Sequence, residues 1–71
     1  MSAAVNLTHK QMVEAAYRIL RADQADKRDK LPRWMLERNL GDKLEEMGLD
    51  LMETSVDLKA IMDEAADIVG V

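Results

Sequence analysis

The chain has 71 residues, with ten basic and fourteen acidic side chains and a formal net charge of −4. That length allows one small domain whose core is only marginally sufficient, and with no cysteine neither a disulfide nor a thiolate metal site can reinforce it. Leu, Met, Ala and Ile dominate the apolar residues and Phe is absent, a palette that favours helix over strand.

The first helix has a well-specified start. Thr8 and Gln11 have capping-box spacing, and Leu7 and Met12 occupy the two positions of a hydrophobic staple. Met12, Val13, Ala16, Ile19 and Leu20 form an inward stripe bordered by Tyr17. The helix is predicted to fade near Ala22. Residues 1–7 are expected to be a flexible arm, and residues 8–71 a single helical domain. Residues 1–6 have neither a basic start nor a long apolar run, so no secretory signal is expected there.

Residues 23–30 are almost entirely polar and alternate in charge, which reads as a solvated connection with at most a frayed helical turn. Leu31-Pro32 then opens a second helix over 32–47, because proline lacks an N–H that would have no helical partner in the first turn. Leu36, Leu40, Leu44 and Met47 form its stripe. With Gly48 as the left-handed residue past the end, Leu44 and Leu49 make the apolar contact of a Schellman motif. Gly41 is the weak point, since glycine inside a helix costs about 1 kcal/mol relative to alanine. Asp42 and Glu45 can start a separate short helix, so a kink or break at Gly41 is an alternative.

Residues 50–54 form a connector, and Thr54 or Ser55 is placed to cap the last helix. Leu58, Ile61, Met62, Ala65, Ile68 and Val69 follow the clearest amphipathic pattern in the chain, and Gly70 is a plausible stop. The expected fold is all-α, a small three-helix domain with helix 2 open to a break near Gly41. Most of Met12, Met35, Met47, Met52 and Met62 fall on helical stripes and are expected to fill the core.

Motifs for catalysis and cofactors are absent. His9, the only histidine, is placed in a first helical turn with no nucleophile assigned beside it. Adjacent carboxylates such as Glu45-Glu46 and Asp63-Glu64 do not face one another on a helix and are expected to form a solvated acidic surface. The chain contains no calcium-loop spacing and no glycine-rich phosphate loop. The expectation is a non-enzyme without a cofactor or metal.

Charge is unevenly distributed. Residues 1–41 carry eight basic and five acidic side chains, net +3, whereas residues 42–71 carry two basic and nine acidic, net −7. Residues 26–38, DKRDKLPRWMLER, hold five of the ten basic residues and the only proline and tryptophan. Lys27, Arg28, Lys30, Arg33 and Arg38 around Trp34 make the candidate binding site. Tryptophan and arginine are the types most enriched at interface hot spots, and a mixed-charge surround fits a polar rim. Trp34 lies off the leucine stripe, yet a lone tryptophan also serves as a core anchor, so both placements stay open.

A larger protein partner is therefore expected, with this chain acting as a regulatory or adaptor protein by occlusion, bridging or recruitment. Nucleic acid is the first alternative: the same cations can neutralise phosphates and Trp34 can stack on a base, although the sequence pI of about 4.8 opposes this. A self-assembling helical protein, using the 58–69 stripe or exposed methionines, is the second. No apolar run approaches the ~20 residues needed to span a bilayer, so no membrane role is expected. Absence of cysteine suits a reducing cytoplasm.

In size, lack of cysteine and charge style, the chain resembles the small proteins with which bacteriophages bind host machinery. That resemblance implies a multisubunit host enzyme such as RNA polymerase as partner, with altered promoter recognition or termination as the result.

Overall fold

A computed structural model describes residues 7–25, 30–52 and 55–70. Among these residues there are three helices, α1 (His9–Ala25), α2 (Arg33–Glu46) and α3 (Leu58–Val69), and no strand. The fold is all-α. Apart from Leu7, the expected N-terminal arm lies outside the described residues, and Leu7 itself is half-buried against the core.

Local signals set most helix ends. At α1, the Gln11 N–H donates to Thr8 Oγ1 at 3.1 Å and the Thr8 N–H donates to Gln11 Oε1 at 2.8 Å, completing the capping box. The helix outlasts its expected end near Ala22 and reaches Ala25. Asp23, an unfavourable acid near a helix C-terminus, accepts the Leu31 N–H at 2.9 Å and so ties the end of α1 to the approach to α2. Pro32 is the N-cap residue of α2, one position earlier than a first-turn residue, and its carbonyl accepts the N–H groups of Met35 and Leu36.

α2 ends in a Schellman motif. Gly48 has φ 105°, the Leu49 N–H reaches the Leu44 carbonyl at 3.0 Å, and the Gly48 N–H reaches Glu45 at 2.9 Å. Leu44 and Leu49 are both buried, as their motif positions require. Gly48→Ala is expected to destabilise the fold by about 1–2 kcal/mol, because a Cβ is disfavoured in the left-handed region. Urea unfolding followed by circular dichroism measures it.

The helix continues through Gly41, and packing accounts for the glycine. A Cβ there would stand 3.1 Å from Leu58 Cδ1 and 3.5 Å from Leu51 Cδ1. Bare backbone thus admits the start of α3 and the preceding connection. Gly41→Ala is expected to be near neutral: the gain of about 1 kcal/mol in helix propensity offsets a small displacement of the Leu58 terminal methyl. Gly41→Leu overfills the contact and is expected to cost about 1–3 kcal/mol in the same assay.

The last helix corrects two expectations. Asp57, rather than Ser55, is its N-cap, accepting the Ala60 N–H at 3.0 Å, while Thr54 lies outside the described residues. Ile68, expected in the inward stripe, is 63% exposed, and Ala66 is buried instead. At ~100° per residue, the buried positions of α3 centre between Ile61 and Ala66, which leaves Ile68 just past the edge. Gly70 ends the helix at φ 90°, with its N–H on the Ala66 carbonyl at 2.8 Å.

One apolar cluster joins the three helices. Leu40, Leu44 and Met62 are its largest fully buried side chains, and no polar or charged residue is buried among those described. Met12 is half-buried against this cluster, whereas Met47 and Met52 are exposed, so the methionines divide between core and surface.

Candidate functional site

The first turns of α2 carry Arg33, Trp34 and Arg38 of the residues singled out in the sequence. Trp34 is 59% exposed, so the core placement of its ring is excluded. The leucines that close the core, Leu36, Leu40 and Leu44, lie on another face of the same helix. Trp34 and Arg38 are separated by four residues and are therefore neighbours on the helix surface. Both are exposed, as is Lys30 on the approach to α2. Lys27 and Arg28 lie outside the described residues.

Arg33, also exposed, is engaged across the helices. Its Nη1 donates to Asp63 Oδ1 at 2.6 Å, an exposed ion pair between α2 and α3. The neighbouring carboxylate, Glu64, meets His9 Nε2 at 2.8 Å and so links α3 to α1. Asp63 and Glu64 thus point to different helices and act as paired surface links, whereas sequence reasoning placed them in a solvated acidic face. No local signal could reveal these pairings, since they join positions 30 and 55 residues apart.

The resulting face has an aromatic centre with cations beside it, and half-buried Glu37 interrupts the positive charge. Such a face can bury apolar ring area against a partner and donate guanidinium hydrogen bonds at its edge. The only histidine is exposed and bonded to a carboxylate, and no hydroxyl is hydrogen-bonded to it among the described residues. Among those residues no group of three His, Cys, Asp or Glu side chains is placed to hold a metal ion, and no helix is long and apolar enough to cross a membrane.

Comparison with protein-family models, curated proteins and solved structures finds no match for this chain.

Proposed function

We propose that this chain is a non-catalytic regulatory or adaptor protein that docks on a larger protein through Trp34 and Arg38 of α2. Lys30, exposed on the approach to α2, is a further cation of this proposed site; Lys27 and Arg28, also named from the sequence, lie outside the described residues. The observation that supports this reading is the exposure of the only tryptophan in a domain whose core closes without it. An exposed aromatic beside arginine has the composition of an interface hot spot. Arg33 is better assigned to positioning, because its guanidinium already holds Asp63 on α3.

Bacterial RNA polymerase is the first partner to try, on the strength of the phage-protein resemblance. The test immobilises the full chain, passes nuclease-treated RNA polymerase over it, and repeats this with a Trp34→Ala, Arg38→Ala variant of unchanged helicity. Saturable binding by the wild type that is lost in the variant supports the reading. A complex that disappears on nuclease treatment favours a nucleic-acid partner. If polymerase fails, the same pair of proteins is used for affinity capture from host extract. A captured partner that ignores both substitutions overturns the assignment of this face.

A further inference from the structure

A groove separate from the Trp34 face runs between α1 and α2. Two depressions of about 540 and 490 Å³ share Ile19, Ala22 and Lys43 and therefore merge. One end lies between Gln11 and Met47, the other between Asp23 and Leu36, so the two helices run antiparallel along its walls. Among the described residues, none of α3 or of the Trp34 face lines it. From Gln11 to Asp23 the α1 wall is about 18 Å long at 1.5 Å per residue, the length of a three-turn helix.

Apolar groups at the base and charges along the rim define what fits. Ala15 and Leu36 are buried, Ile19 and Leu31 are half-buried, and Ala22 is exposed. On the rim, Glu14 pairs with Arg18 at 2.8 Å and Lys43 with Glu46 at 3.9 Å, which largely neutralises those four charges. Among the described residues the remaining lining charges are Asp23 and Asp42, both at the Leu36 end. Neither belongs to an ion pair among the described residues; half-buried Asp23 accepts only the neutral Leu31 N–H, at 2.9 Å, and Asp42 is exposed. That end therefore favours a cation, while the shape between two antiparallel helices favours a further helix packed alongside them.

We infer that the α1–α2 groove receives an amphipathic helix of a partner protein, apolar along one stripe and carrying lysine or arginine beside Asp23 and Asp42. The incoming helix completes a four-helix bundle with the three helices of this chain. This site stands independently of the Trp34 face, and together the two surfaces would let one small protein bridge two partner elements.

Titration of the labelled full chain with synthetic peptides, followed by amide NMR signals, tests the inference. The probe is an amphipathic peptide of about fourteen residues with a leucine stripe and flanking lysines. One comparator replaces lysine by glutamate, and the other replaces the leucines by serine. Saturable shifts at Ile19, Ala22, Asn39 and Lys43, roughly tenfold tighter for the probe than for either comparator, are expected. Ala22→Arg, at an exposed helical position, should weaken the probe by a similar factor, whereas Trp34→Ala should leave it unchanged. Asp42→Lys is the second variant if Ala22→Arg disturbs the fold, and it should weaken the lysine probe and strengthen the glutamate comparator. Equal binding of the serine comparator, shifts confined to α3 or Trp34, indifference to the groove variants, or no saturable binding would overturn it.

Discussion

Leu40→Ala is expected to leave a large fraction of the chain unfolded at room temperature. Leu40 is completely buried within the cluster that joins all three helices. Truncating such a leucine removes its transfer free energy and leaves a cavity, for a typical loss of about 2–5 kcal/mol. A core in a domain of this size rarely supplies more than about 3–5 kcal/mol of net stability. The two quantities are comparable, so the substitution consumes most of the folding free energy. Partial collapse around the site reduces the loss without removing it, because Leu44 and Met62 are themselves fully buried and packed. Far-UV circular dichroism in urea should show a shortened or absent folded baseline. Ile68→Ala is the control: its side chain is 63% exposed, and a change within about 0.5 kcal/mol is expected there. A Leu40→Ala variant as stable as that control would refute the packing described for α2.

The contrast between Leu40 and Ile68 also shows where sequence reasoning has reach. Leu40 was legible because its stripe repeats over three turns and is bounded by a Schellman motif whose bonds span only a few residues. The Thr8–Gln11 box and the Gly70 stop are similarly local. Ile68 was misassigned because an apolar stripe on a short helix specifies a broad arc, and the part of the arc that is covered depends on where α1 and α2 lie. The Asp57 cap displaced the expected one because several polar residues in succession can each fill that role.

Long-range partnerships left no such trace. The pairings of Asp63 with Arg33 and of Glu64 with His9, and the hydrogen bond from the Leu31 N–H to Asp23, arise only once the helices are placed. Gly41 looks like a break because its low helix propensity coincides with a capping-type pair, Asp42 and Glu45, while the contacts that favour a bare backbone come from Leu51 and Leu58. The candidate site was partly legible: residue types at 27–38 suggested a binding face, but only the exposure of Trp34 chose between surface and core. The α1–α2 groove had no sequence signature, since its lining residues on α1 mix a member of the core stripe, Ile19, with small and polar residues of its border.

Trp34→Ala is expected to preserve the fold and weaken association with the partner by roughly 30- to 700-fold, a loss of about 2–4 kcal/mol. A tryptophan buries about 150–250 Å² when fully covered. With 59% of the residue exposed, a partner can remove on the order of 90–150 Å² more from water. At about 25 cal/mol per Å² this corresponds to about 2–4 kcal/mol. Stability should change by less than about 1 kcal/mol, since the ring fills no part of the buried cluster. The two effects separate cleanly in a paired measurement of urea midpoint and of affinity by calorimetry with the captured partner. Arg38→Ala alone should produce a smaller loss that shrinks further in high salt, because an exposed cation contributes chiefly through screened attraction. Arg33→Ala should act differently: it releases Asp63 from its link to α2, adds exposed negative charge to α3, and weakens an acidic partner surface more than a neutral one. Full affinity retained by Trp34→Ala, with the fold intact, would remove this face from the interface and leave the α1–α2 groove as the principal docking surface.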